Sequence, residues 1–439
     1  MKRTCDSSAD RLTDLPVEVI QRILVFLPIK DAAKTSVLSR KWRHQWRSIP
    51  QLVFDDGFAR IPRVSESESE SKVRNKFIML NLYRALLVHD GPITKFVLSI
   101  PGLTPCDEID NVVLHLSNKG LQDLTLEFYG PGYNKDGYQL HSSLFSAIHL
   151  KCLTLQSCEV TQPSWFIGFS KLTDLRLEEV TLPCDFFTNF LTMCPALESL
   201  RVTDCGGYAF ELEIVAPFLK SFHLNGSLKD ISFKCTPRLL SLTLDVYETD
   251  MHEMVAFFAS ITTLQQLCIS TQFMRELAEA NKNVPTRLPS PLHGLEVLEI
   301  IDVALDSLEL KHVFLCLITS SPNLRRLRVE IDFNQLFYLA GTTEFSSIRK
   351  LLEAEDCPGF SGRFFQHLKV FRLEASCGTQ VELDLVRFIL ATAPLLQRIH
   401  ITPACHLSFE TRLKFTVEAM RYKRVSKEAQ LIYDMDFDQ

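Results

Sequence analysis

Twelve times between Ile93 and Ile401 an apolar residue is followed by a second three places on and a third two places after that. The triplets are Ile93/Phe96/Leu98, Leu121/Leu124/Leu126, Leu150/Leu153/Leu155, Leu172/Leu175/Leu177, Leu197/Leu200/Val202 and Leu219/Phe222/Leu224. They continue as Leu239/Leu242/Leu244, Leu264/Leu267/Ile269, Leu295/Leu298/Ile300, Leu324/Leu327/Val329, Leu368/Phe371/Leu373 and Leu396/Ile399/Ile401. The alternation at the end of each triplet predicts a short strand with one buried side. Small-residue–proline pairs precede several copies, as in Cys194-Pro195, Ala216-Pro217, Thr236-Pro237, Ser321-Pro322 and Ala393-Pro394. Proline stops a helix and releases the chain into a strand, so helices are expected over 185–193 and 311–319.

A single strand with its return segment cannot bury its own apolar side, whereas stacked copies share one continuous core. Copies begin 20 to 44 residues apart, the spacing of a leucine-rich-repeat solenoid with a curved parallel sheet, an α/β fold. The longest interval holds an insertion over 337–365, loosened by Gly341, Gly359 and Gly362. Four regions follow: a helical segment over 9–50, a joining strand, acidic linker and helix over 51–92, repeats over 93–364, and terminal repeats with a closing cap over 365–439. The strand of the joining region, 49–55, is expected at the edge of the sheet. Its acidic tract, 65–71, reads as a solvated loop or a phosphorylation site. The pattern of Phe77, Leu80, Tyr83, Leu86 and Leu87 predicts a buried helix over 73–88.

The segment 14–46 reads as a hook of three short helices. Ile20, Ile23, Leu24 and Leu27 follow the spacing of one helix face, Pro16 suits the first turn, and Pro28 ends the helix. A second helix is expected over 31–38. Ser39 should cap a third that carries Trp42 and Trp46 one turn apart. So small a unit must lean on its neighbour or on a partner. On periodicity alone it serves equally as a helical cap of the next domain.

Leu15-Pro16, Glu18, Ile23-Leu24, Leu27-Pro28 and the run Leu38-Ser39-Arg40-Lys41-Trp42-Arg43 together resemble the F-box in the form common in plant proteins. The run His367-Leu368-Lys369-Val370-Phe371, with Ala393-Pro394-Leu395-Leu396 and Tyr422-Lys423-Arg424-Val425-Ser426, resembles the FBD region that ends the plant F-box/FBD/LRR-repeat family. The resemblance implies a non-catalytic substrate receptor of an SCF-type (cullin-RING) ubiquitin ligase. In that role Leu15, Pro16, Ile20, Ile23, Leu24, Leu27, Pro28, Val37 and Trp42 contact the adaptor, and through it a cullin. Some of the nine must instead tie the hook together, and the sequence does not divide them. A repeat scaffold or ligand sensor without any ligase role is the alternative.

Composition agrees with a folded binding protein: 46% of residues are hydrophobic and 23% charged. A net charge of −6 argues against nucleic acid as partner. No apolar run reaches membrane-spanning length and no signal peptide opens the chain, so cytoplasm or nucleus is expected, with no membrane partner. The thirteen cysteines are scattered without a Cys-x-x-Cys pair and read as structural thiols. No catalytic motif, metal-ligand spacing or cofactor loop appears, so no enzyme activity, metal or cofactor is expected. The loop 164–166 reads as an anchor. Residues between the buried apolar positions point to the open face of the sheet. There Arg326, Arg328, Arg372, Arg398 and His400 gather on neighbouring strands. They are candidates for an acidic or phosphorylated substrate, or they pair with Glu330 and Glu374 along the sheet.

Overall fold

The computed structural model describes residues 12, 14–59, 68–103, 106–128, 138–183, 186–206, 211–246, 249, 254–280, 284–303, 308–331, 365–405 and 407–433. All twelve apolar triplets lie in the core, each member at most 3% exposed. The chain divides into two compact units, residues 1–197 with 205–207, and 198–204 with 208–439. The insertion over 337–365, apart from Phe365, lies outside the described residues.

The first unit opens with helices α1 (Val17–Val25) and α2 (Ile29–Lys34). Strands β1 (Gln51–Phe54), β2 (Lys95–Ile100), β3 (Asp123–Phe128), β5 (Cys152–Gln156) and β7 (Asp174–Glu178) then pair in that order, all parallel. Register aligns Leu52 with Phe96, Phe96 with Leu124, Leu124 with Leu153 and Leu153 with Leu175. A slip of one residue would turn every leucine outward, so the repeated pattern fixes the pairing. A side pair, β4 (Tyr138–Gln139) with β6 (Cys158–Glu159), lies off the main sheet. The crossover between β1 and β2 contains α3 (Asp56–Ala59) and α4 (Glu68–Leu87), and that between β2 and β3 contains α5 (Glu108–Ser117).

Helix α4 begins earlier than its apolar pattern suggests, so Glu68–Ser71 of the acidic tract is its first turn instead of loop. Carboxylates are favourable there because the helix dipole is positive at that end. Residues 65–67 lie outside the described residues. The helix is also one-sided. Ile78, Met79, Leu82 and Leu86 are buried, while Val73, Phe77, Leu80 and Leu87 remain exposed.

On the return side of this unit, Phe145, Phe166, Phe169 and Phe190 pack with ring centroids 4.8 to 6.1 Å apart. Of the expected 164–166 anchor, Phe166 is buried and Trp165 is exposed. The loop then turns at Gly168, φ +116°, where a Cβ would meet the Met193 carbonyl oxygen at 2.2 Å. Only glycine fits. Helix α6 (Phe186–Phe190) and a 3-10 turn at Leu191–Met193 realise the helix expected over 185–193.

The second unit strings β8 (Ser199–Thr203), β10 (Ser221–Gly226), β12 (Ser241–Val246), β13 (Gln266–Ser270) and β14 (Val297–Val303) in parallel. The series continues through β15 (Arg326–Ile331), β16 (Val370–Ser376), β17 (Arg398–Pro403) and β18 (Gln430–Tyr433). Two early crossovers return through strands, β9 (Glu211–Val215) paired with β11 (Asp230–Cys235). Later ones use helices α7 (Met254–Ser260), α8 (Thr271–Ala280), α9 (Leu308–Ser320), α10 (Gln380–Thr392) and α11 (Phe409–Arg421). α9 is the helix expected over 311–319, slightly longer at both ends. α10 carries a capping box: Thr379 accepts from the Glu382 amide while the Glu382 carboxylate reaches back to the Thr379 amide.

One backbone feature recurs in both units. The residue two places beyond the last apolar position of a triplet is left-handed at Ser157, Glu179, Asp204, Asp302 and Ala375, φ +47° to +54°, and at Gly226. At Ser157, Glu179 and Asp204 the strand has just ended, whereas Asp302 and Ala375 sit at register shifts one residue before the ends of β14 and β16. Burial pushes the Cys158, Cys194 and Cys268 thiols up to about 12. Such thiols stay protonated and pack as small apolar groups.

Candidate functional site

Both hook helices open on Leu-Pro. Pro16 and Pro28 stand as N-caps, one place ahead of the helix, with extended ψ of 149° and 143°. The Pro16 carbonyl accepts from the Val19 and Ile20 amides at 3.1 Å, and the Pro28 carbonyl from Asp31 and Ala32 at 2.8 and 2.9 Å. Proline loses nothing there, since its own N–H would have no helical partner. α2 starts at Ile29 and ends in a 3-10 turn over Thr35–Val37, earlier than the expected 31–38.

The expected third helix does not form. Turns run from residue 39 to 44, followed by a 3-10 turn over Gln45–Ser48, and the Ser39 hydroxyl is buried without a hydrogen-bond partner among the described residues. Trp42 is drawn into the core, where its indole N–H donates to the Leu12 carbonyl at 3.0 Å. Satisfying that ring and its N–H outweighs the helical spacing that would align it with Trp46.

Burial divides the nine residues that the sequence left together. Ile20, Leu24 and Trp42 are core residues and have no surface to offer a partner; with Ile29 and Ala32 they hold the hook together. Leu15 and Leu27 are half-buried, and Pro16, Ile23, Pro28 and Val37 are exposed. The structure adds Val17, Val19, Phe26 and Leu38 to the exposed apolar set, Phe26 and Val37 being the most open at 87%. Val19, Ile23 and Phe26 recur at i, i+4 and i+7, a second apolar stripe on α1 flanking the one that packs. That spacing was readable in the sequence, but the buried stripe carries the same signal.

The hook is fixed to the sheet by backbone contacts. The Asp90 amide donates to the Arg47 carbonyl at 2.9 Å, the Thr94 amide to Pro50 at 2.9 Å, and the His89 Nε2 lies 2.9 Å from the Ile49 carbonyl oxygen. The Gln21 side chain donates to Ser48 at 3.0 Å, and Lys30 stands 4.9 Å over the Phe58 ring. Gly91 passes so close that a Cβ would meet the Ser48 carbonyl oxygen at 2.9 Å.

The second site is the open face of β14 to β17. Register places Glu299, Arg328, Arg372 and His400 in one row across four strands, and Arg326, Val370 and Arg398 in the row before it. Arg328 is taken up by carboxylates: Glu299 at 3.1 Å, Glu330 at 2.8 Å and Glu374 at 2.6 Å. These hydrogen-bonded carboxylates, Glu374 first, hold its guanidinium above its usual range. It therefore has no free fork for a substrate oxyanion. Arg326, Arg372 and Arg398 are exposed and make no ion pair among the described residues. Nearer the strand ends the same face turns acidic. Asp245 accepts from Asn225 at 2.6 Å, and burial, then Asp302, pushes its carboxyl up.

Comparison with known proteins places these features. Residues 12–53 match the F-box domain, and residues 109–329 match the LRR repeats described for the FBD-associated F-box protein At5g56370. The F-box/FBD/LRR-repeat protein At1g13570 of Arabidopsis thaliana is 30% identical over 98% of this chain and 99% of its own length. From the same plant, the putative FBD-associated F-box protein At5g56560 is 25% identical over 97% of this chain and 99% of its own. The FBD-associated F-box protein At5g56370 itself is 24% identical over 97% and 100%.

Proposed function

This chain belongs to the F-box/FBD/LRR-repeat family, and on that premise we propose that it is the substrate-recognition subunit of an SCF-type ubiquitin ligase. The observation that carries the proposal is the exposed stripe Val19, Ile23 and Phe26 with Val37 and Leu38, on a hook whose other side is buried against itself and β1. Monomeric surfaces scatter their apolar residues, and five this open within one short hook mark a docking face. The adaptor subunit is its occupant, and a cullin is reached through it.

The receptor itself performs no chemistry in this scheme. Holding a target near the ubiquitin carrier makes the encounter of its lysine with the thioester effectively intramolecular, which raises the rate through local concentration. The open face of the second unit holds the target, with Arg326, Arg372 and Arg398 as the available cations. Arg328 organises the face without touching cargo.

Co-expression with the adaptor tests the reading. Phe26→Glu is expected to weaken adaptor recovery by at least about tenfold, the loss typical of a central apolar anchor. Because Phe26 is 87% exposed, the melting temperature should not move. Full adaptor recovery by a folded F26E chain overturns the proposal.

A further inference from the structure

Among the described residues the last repeat leaves its end open in both layers. Helix α11 buries Arg412, Phe415, Thr416 and Ala419. Its Arg412 guanidinium donates to the Leu407, Ala404 and Cys405 carbonyls, and Phe415 packs 6.4 Å from the Tyr433 ring on β18. Thr411, on a neighbouring side of the helix, lies against Gly378 of the preceding repeat, where a Cβ would meet its methyl at 2.9 Å. The flank opposite Thr411 is where a following repeat would stack. It carries Phe409, Leu413, Val417 and Met420, each 42–57% exposed. β18, beside it, pairs with β17 on one edge and with no strand among the described residues on the other. A stacked fold ordinarily closes such an end with polar residues.

The charges beside the apolar flank say what covers it. Along the solvent edge stand Glu410, Lys414, Glu418 and Arg421, one after each apolar residue and alternating in sign; within the helix Glu410 pairs with Lys414 at 2.6 Å and Glu418 with Arg421 at 3.2 Å, exposed pairs that can exchange partners. Read backwards, the series changes sign at every place. We propose that this flank is the interface between two copies of the chain, with α11 antiparallel to α11 of the second copy about a two-fold axis. In that arrangement Phe409 faces Met420 of the other copy and Leu413 faces its Val417. Residues on one flank of an antiparallel helix pair meet the same flank of the partner, so Glu410 meets Arg421 and Lys414 meets Glu418, each contact occurring twice. A parallel pairing in register would oppose like charges at all four places.

The interface does not rest on the ligase reading. One helix flank is small beside the ~800 Å² per partner of a standard interface, so the dimer is weak, with a dissociation constant on the order of micromolar.

The test is sedimentation velocity of the full chain up to about 50 µM, several times the expected constant. A monomer–dimer equilibrium is expected, displaced to monomer by Leu413→Glu. Lys414→Glu, a change on the charged edge that touches no buried group, should weaken the dimer about five- to tenfold by reversing two exposed ion pairs. Combining Lys414→Glu with Glu418→Lys should restore it. A chain that stays monomeric, a dimer indifferent to Leu413→Glu, or a charge swap without rescue overturns the proposal. So does a full chain that is monomeric while one ending at Tyr433 dimerises, which would assign the flank to the chain's own residues 434–439.

Discussion

Asp245 shows how the open face constrains single residues. Burial and the repulsion of Asp302, Asp204 and Glu330 raise its pKa, against the opposing hydrogen bond from Asn225. Its folded pKa lies above the unfolded value, so the fold prefers the protonated acid. At neutral pH the ionised form therefore costs stability, and the cost disappears once pH falls below the unfolded carboxylate range. Asp245→Asn should melt higher than the parent at pH 7.5, with the gap closing toward pH 4. Melting curves across that range check the sign. At this scale the sequence was partly legible. Every leucine of the twelve triplets could be assigned inward, because period-2 alternation has one solution. Glu179 and Ala375 could not be found as left-handed positions, since neither residue type carries a turn signature, whereas Asn225-Gly226 announces itself. Nor could Arg328 be separated from Arg372, because two of its three carboxylates, Glu299 and Glu374, come from strands whose neighbours are fixed only by folding.

Among the elements, α10 is secured by its first turn. The Glu382 carboxylate accepts from the Ser376 hydroxyl at 2.5 Å, the Cys377 amide at 3.1 Å and the Thr379 hydroxyl at 2.9 Å, while Thr379 caps the helix in return. Glu382→Ala leaves those donors buried and unpaired and should cost about 1–3 kcal/mol, read from denaturant unfolding of the full chain. The Thr-x-x-Glu pattern of this box stands in the sequence. The hook was harder to read. α1 has two apolar stripes, one packed through Ile20 and Leu24 and one exposed through Val19, Ile23 and Phe26, and helical spacing marks both alike. Which stripe lies inside depends on contacts distant along the chain, such as the Gln21 bond to Ser48. α4 hid its true start for a related reason: an acidic, serine-rich run has poor intrinsic order, yet the dipole of the following helix recruits it.

For the molecule as a whole, repetition made the parallel architecture legible, since each crossover must return to the same edge and each strand to the same register. The fixing of the hook was not legible, because it is made by main-chain groups over 47–50 and 89–95 that no side-chain pattern encodes. Gly91→Val would force the chain away from the Ser48 carbonyl and should cost about 1–3 kcal/mol. The change should open the bonds after Arg43 and Arg47 to trypsin while the repeats stay resistant, which limited digestion with mass analysis would show.

The close passage of Gly91 under Ser48 also bears on reach. A receptor whose two functions are joined by a slack tether lets its cargo sample a cloud of positions, and almost any surface lysine takes a turn near the donor. Here the segment that leads out of the hook is hydrogen-bonded into the first two strands, so the docking helix and the opening of the sheet swing together. Whatever leans on these first strands therefore keeps one fixed attitude toward α1, whichever partner α1 engages.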